Sequence, residues 1–243
     1  KQVVRKRAEA RDIVMNPSTK LFYVEVEQPD MHEPSGDLER LVRALEVEWG
    51  LKNIHADLHI LQSLQQTLRK GSWKVTAAVH LGDSENPPRI MHLWPGYYEG
   101  AVYGLAVDLG STTIAAHLCD LLTGEVVASS GVMNPQIRFG EDLMSRVSYG
   151  LMNPGGAQEM TAAVREGLQQ LITGGAEQAG FTASDVLEVV LVGNPVMHHL
   201  LLDIDPIELG GAPFALAVDT AVDIKADELG LSLHPGSSVY ILP

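Results

Sequence analysis

Apolar and polar positions along this chain alternate in two periods, and the order of those periods changes near residue 100. Phe22, Val24 and Val26 stand two apart among more polar neighbours, the spacing of a strand with one buried face. Leu38, Leu41, Val42, Leu45 and Trp49 then recur at three and four residues, the stripe of an amphipathic helix. Asp37 is placed to cap that helix and Gly50 to end it. Leu61, Leu64 and Leu68 predict a second helix that stops at Gly71. Trp73, Val75, Ala77, Val79 and Leu81 alternate again as a strand, and residues 89–94 can pair with it. Together these elements predict a small α+β unit over residues 17–100, with 1–16 as a linker before it.

Asn86-Pro87-Pro88 and Pro95-Gly96 punctuate the chain, and a different order follows. Strands are predicted over 102–109, 112–120 and 125–131, the last two turning at Thr123-Gly124. Helical spacing follows over 140–149 and again over 158–179, where Met160, Val164, Leu168, Leu171 and Ile172 share a face. Residues 187–192 form an apolar strand ending in Gly193-Asn194, Pro195 opens a further helix, and 238–242 reads as a last strand. Three meandering strands, helices, a strand, a helix and a strand predict an α/β lobe of ribonuclease-H-like layout over 101–243. The pairs Gly174-Gly175 and Gly210-Gly211 read as helix breaks and loop.

The turns of this second unit carry the candidate chemistry. In Ala106-Val107-Asp108-Leu109-Gly110-Ser111-Thr112-Thr113 an aspartate ends a strand expected to be buried, and a glycine and three hydroxyl residues lead into the next. Such a turn gathers backbone N–H groups into one concavity that suits phosphate oxygens. Gly110 allows close approach, Ser111, Thr112 and Thr113 add hydroxyl donors, and Asp108 suits a hydrated Mg²⁺. A plain hairpin with a polar tip is the alternative, but it leaves an interior aspartate without a partner. The turn is neither a Walker A loop nor a dinucleotide fingerprint.

Val192-Gly193-Asn194-Pro195 ends a strand at a helix N-terminus, which serves equally as a simple cap or as an anion-facing edge. Glu141 and Asp142 suit the first turn of a helix; beside bound phosphate the same carboxylates would meet magnesium or a catalytic water, and Arg138 an anionic group. Both readings stand at this point. His55 and His59 are four apart without the glutamate of a zinc-protease helix, and adjacent His198 and His199 diverge on a helix.

Charge and cysteine content narrow the partners. The formal net charge is −14, which repels a phosphate backbone and argues against nucleic acid as a general partner. Lys1, Arg5, Lys6, Arg7 and Arg11 concentrate positive charge at the start, read as a solvated linker or helix face. No apolar run is long enough to cross a bilayer and no secretory signal opens the chain, so a cytoplasmic protein with no membrane partner is expected. Cys119 is the one cysteine, excludes an internal disulfide or cluster, and is expected as an inert buried thiol.

The same stretches resemble the ATP-dependent reductive activators of corrinoid proteins, within the superfamily of acetate and sugar kinases, Hsp70 and actin. The resemblance rests on 103–113, Asn134-Pro135-Gln136, Phe139-Gly140-Glu141-Asp142, Ser145-Arg146, Val192-Gly193-Asn194, Met197-His198 and Ala212-Pro213-Phe214. In the first unit it rests on Pro34-Ser35-Gly36-Asp37, Leu68-Arg69 and Trp73-Lys74-Val75-Thr76, and labels 17–100 the middle domain and 101–243 the first lobe of an actin-like ATPase domain. The resemblance implies ATP and Mg²⁺ as ligands, with Asp108 on the metal, Gly110 to Thr113 on the β- and γ-phosphates, Gly193 and Asn194 at the cleft, and Glu141 beside the chemistry. It implies a corrinoid-protein partner reduced from cob(II)alamin to cob(I)alamin, a two-iron two-sulfur ferredoxin domain before residue 1 and a second lobe after Pro243. Residues 1–243 are thus expected as an interior fragment, inactive alone. An activator of another metalloenzyme, or a non-catalytic docking or dimerisation module, are the alternatives; a homodimer is compatible with each.

Overall fold

The computed structural model describes residues 14–32, 34–82 and 86–243, so most of the predicted linker and its basic run lie outside the described residues. The chain divides into two compact units, Val14–Ala101 and one that contains Val102–Pro243.

In the first unit the order is β1 (Thr19–Glu25), α1 (Asp37–Trp49), β2 (His55–Ala56), α2 (Leu58–Lys70), β3 (Lys74–His80) and β4 (Arg89–Pro95). The sheet order is β1-β3-β4-β2, antiparallel except for the β2–β4 pair. Leu41 and Leu45 of α1 and Ile60, Leu64 and Leu68 of α2 bury their stripe against Phe22, Val24, Val75, Ala77 and Val79. Burying side chains of this size gives roughly 1.5–3 kcal/mol each, which outweighs any single cap.

Two local expectations are corrected. Asp37 is not the cap of α1: Gly36 holds that place without a side-chain bond, and the Asp37 carboxylate pairs with Arg40 and, at 3.0 Å, with Arg69. Trp73 is not a strand residue. Its φ is 67°, its N–H donates to Leu68 O at 2.8 Å to close the end of α2, and the Arg69 guanidinium lies 5.1 Å from its ring.

The second unit runs β5 (Tyr103–Leu109), β6 (Thr113–Asp120), β7 (Val126–Met133), a 3-10 turn Pro135–Phe139, α3 (Leu143–Met152), α4 (Gly156–Ala179), β8 (Val186–Gly193), α5 (Pro195–Leu201), β9 (Val222–Lys225) and β10 (Ser238–Leu242). Its sheet order is β7-β6-β5-β8-β10-β9. β5, β6 and β7 form an antiparallel meander, β8 and β10 run parallel to β5, and β9 is an antiparallel edge. Apart from that edge this is the 3-2-1-4-5 order of a ribonuclease-H-like lobe, the fold of actin-like ATPases. Met160, Val164, Leu168, Leu171 and Ile172 of α4 join Leu105, Val107, Leu109, Ile114, Ala116, Leu118, Val189 and Leu191 in one core.

Gly174-Gly175 does not break α4, which is continuous over 24 residues. A Cβ at Gly175 would lie 3.2 Å from Ser130 Oγ, so the missing side chain lets the helix pass close to β7. The helix expected from residue 140 begins at Leu143, because Pro135–Phe139 winds separately and the Asp142 side chain caps α3 at Ser145 N, 2.7 Å away. The cysteine is half-buried rather than buried; desolvation raises the Cys119 thiol pKa, which keeps it protonated and unreactive.

Candidate functional site

The turn between β5 and β6 is closed by the Gly110 N–H donating to Thr113 O at 3.1 Å. A Cβ on Gly110 would stand 2.6 Å from that same oxygen, so the turn admits only glycine there. Leu105, Val107 and Leu109 face the core, which turns Ala106 and Asp108 to the other side of the strand. Asp108 is therefore exposed, not interior as the apolar run around it suggested. Its carboxylate stands one residue before the end of β5, where the turn begins. Thr112 is exposed, and Ser111 and Thr113 are half-buried.

β8 lies beside β5 in parallel register, with Asp108 opposite Val192 and Leu109 opposite Gly193. Gly110 and Asn194 consequently leave neighbouring strand ends in the same direction. The Asn194 side chain accepts from Met197 N at 3.1 Å and so caps α5, with Pro195 at the first helical position.

A third segment, continuing from the end of β7, reaches the turn. Asn134 N donates to Thr112 O at 2.8 Å, and Asn134 Nδ2 donates to Gly110 O at 2.9 Å. Arg146, fully buried on α3, donates from Nη2 to Ser111 O and from Nε to Gly140 O at 3.0 Å. Gln136 Oε1 lies 3.3 Å from Asn134 Nδ2 and 3.5 Å from Arg146 Nη1. Because one guanidinium spans Ser111 O and Gly140 O, Glu141 follows directly on a residue tied to the turn, and its side chain is exposed. Desolvation lowers the Arg146 pKa, with the Asp142 charge opposing, yet an arginine stays cationic in any such setting. The Asp142 carboxyl is held below its usual range by the Ser145 amide, which marks it as a cap. Arg138 lies over its neighbour Phe139, 4.7 Å from the ring centroid.

Asn134, Gln136 and Arg146 are the site residues that residue-level reading did not assign a role. The signal available was an arginine at 146 one place before the core residue Val147, where a charged side chain must find polar partners.

His59 and His199 are held by backbone groups. His59 Nε2 lies 3.0 Å from Met91 O. His199 Nε2 accepts from Ala217 N at 3.0 Å, so its Nδ1 carries the proton and donates to Pro195 O at 2.8 Å. No group of three or more His, Cys, Asp or Glu side chains among the described residues could hold a metal ion. A single carboxylate such as Asp108 suits Mg²⁺, which keeps most of its waters. No helix among the described residues is long and apolar enough to cross a membrane.

The strand order gives the lobe the fold of the actin-like ATPases. The family model described as RACo middle region matches residues 103–243, and that described as RACo linker region matches 8–100. The chain belongs to the RACo family. These descriptions move the labels given above: the first unit carries the linker name and the lobe the middle-region name. The chain is 32% identical over 145 residues to the corrinoid activation enzyme RamQ of Eubacterium limosum, covering 60% of this chain and 24% of that protein. A solved structure, the reductive activator for corrinoid, iron-sulfur protein, superposes with a TM-score of 0.85 at 30% identity over 99% of this chain and 38% of its own. The chain thus spans well under half the length of both relatives.

Proposed function

We propose that this chain is the linker and first-lobe part of an ATP-dependent activator that drives reduction of cob(II)alamin to cob(I)alamin in a corrinoid protein. The observation that carries the reading is the register of Leu109 with Gly193, which sets the Gly110 turn and the Asn194 turn side by side at the ends of parallel strands, with Asp108 one residue before the first.

The residues fit a magnesium-bound triphosphate. Among the described residues, the N–H groups of Ser111 and Thr112 donate to no backbone acceptor. With the hydroxyls of Ser111, Thr112 and Thr113 they take the β- and γ-phosphate oxygens. Asp108 would hold a hydrated Mg²⁺ through its oxygens, Gly193 and Asn194 would border the phosphates at the end of β8, and Glu141 would orient the attacking water as general base. Bound MgATP supplies the free energy of phosphoryl transfer, and a second lobe supplies the opposite wall and the adenosine contacts. The iron–sulfur cluster that the resemblance implies has no ligand set here, since the sequence has one cysteine, so no electron-transfer step is placed on these residues. We place the activity in the cytoplasm; a monomer and a homodimer are both compatible with it.

The test is a corrinoid protein poised as cob(II)alamin with an electron donor and the intact activator. Absorbance should report cob(I)alamin only when ATP is added. Equal rates with and without ATP would remove the proposed activity.

A further inference from the structure

Three consecutive peptide planes of the 110–113 turn have their carbonyl oxygens captured from one side. Gly110 O accepts from Asn134 Nδ2 at 2.9 Å, Ser111 O from Arg146 Nη2, and Thr112 O from Asn134 N at 2.8 Å. In a trans peptide the C=O of one residue and the N–H of the next point in opposite directions across the same rigid plane. Fixing those three oxygens therefore aims the N–H groups of Ser111, Thr112 and Thr113 the other way, away from the 134–146 segment. We propose that Asn134, Gln136 and Arg146 are positioning residues that lock the turn with its amides facing outward before nucleotide arrives. The proposal rests on the reading that this turn binds phosphate.

The bonds determine one another. Asn134 Oδ1 accepts from Gln136 N at 2.9 Å, so the amide of Asn134 has to present Nδ2, not oxygen, to Gly110 O. Gln136 Oε1 faces both Asn134 Nδ2 and Arg146 Nη1, while Gln136 Nε2 donates to Met160 O of α4 at 3.0 Å. The brace is thereby tied to the longest helix of the core. Arg146 spans Ser111 O and Gly140 O with two different nitrogens, a reach that the point charge of lysine cannot reproduce. A Cβ on Gly140 would stand 2.7 Å from the Ser145 Cβ and 2.9 Å from Arg146 N, so that carbonyl comes within reach of α3 only because residue 140 is glycine. A buried guanidinium satisfied by backbone carbonyls is costly for stability alone, since an apolar residue would pack there without desolvation. Its orientation of the Ser111–Thr112 plane is what the cost obtains.

The experiment compares MgATP with adenosine, which lacks phosphate, on the intact protein and on its Arg146→Lys and Asn134→Asp variants. Asp keeps the acceptor for Gln136 N and removes the donor to Gly110 O. The expected result is a loss of at least about 10-fold in ATP affinity, with adenosine affinity changed by less than about 2-fold and melting temperature recorded separately. A general loss of structure would lower both ligands together. If the unaltered protein binds ATP no more tightly than adenosine, the phosphate reading itself fails. If it discriminates and both variants keep the same ATP-to-adenosine ratio, the brace is overturned and the phosphate reading stands. Should the variants not fold, proton exchange in the unaltered protein decides. Arg146 Nε–H and the Asn134 amide protons should be protected without nucleotide, and pyrophosphate should shift the Ser111 and Thr112 amide resonances. Protection that develops only after pyrophosphate is added would overturn the proposal.

Discussion

Leu109 and Gly193 face each other across the parallel β5–β8 pair, and a Cβ on Gly193 would lie 3.3 Å from Leu109 O and 3.3 Å from the Met197 Cβ. A side chain at 193 would meet both the β5 backbone and α5 at less than ordinary contact distance. Gly193→Val should cost about 1–3 kcal/mol through overpacking. In urea denaturation the midpoint should fall without a change in slope. ATP affinity should fall as well, because the Asn194 turn moves away from the Gly110 turn. A variant as stable as the original would show that the strands have room to spare.

Asp37 gives a test confined to the first unit. Its carboxylate and the Arg40 guanidinium are 8% and 5% exposed, so Asp37→Asn leaves a buried cation with half its partners. Breaking a pair of this kind costs about 3–5 kcal/mol. Trp73, beside Arg69 and Arg40, is the natural fluorescence probe of the loss. Replacement of Asp37 without effect on that transition would assign the pair to the surface.

Acid should destabilise the lobe through His198. Both its ring nitrogens are buried and unpartnered, and burial first, then the neighbouring His199, lowers its pKa below the usual 6.5. The Ile241 backbone lies near enough to oppose this shift in part, without reaching hydrogen-bond geometry. The unfolded chain therefore takes up a proton before the native one does, so the contribution is intact above the unfolded pKa and is lost as pH falls through the folded one. Its slope is at most about 1.4 kcal/mol per pH unit. Melting curves from pH 7.5 downward should show the loss, and His198→Leu should flatten it. An identical pH dependence in that variant would assign the acid sensitivity to other groups.

The elements that periodicity predicted were those whose buried face repeats without interruption. Leu105, Val107 and Leu109 alternate, and Met160 to Ile172 hold a helical stripe, so β5 and α4 were readable from residues alone. That same alternation, followed strictly, places Asp108 outward, although the apolar residues on either side make the run look wholly interior. β9, only four residues long, and the irregular stretch before it have no period to detect. Arg146 and Asn134 are legible as residues of a resemblance but not as a brace, because they reach carbonyls 35 and 24 residues away, respectively, and nothing in local spacing encodes such a bond. Asp37 shows the reverse case: an aspartate before a helical stripe reads as a cap, and a distant arginine redirects it.

Residues 1–243 alone should bind ATP weakly and turn none over. One phosphate turn without an opposite wall leaves the triphosphate in water, where each hydrogen bond nets little. Calorimetry should give no submicromolar site. Tight binding by these residues alone would contradict the proposed two-lobed cleft.

The most direct measurement is ATP turnover by the intact protein with Asp108→Asn. Asparagine keeps the volume of the exposed side chain and removes the charge proposed to hold Mg²⁺; the melting temperature is recorded beside turnover. Turnover should fall by about 100-fold or more, a transition-state loss of at least about 3 kcal/mol. Turnover equal to that of the unaltered protein would contradict the assignment of the Gly110 turn as the phosphate site.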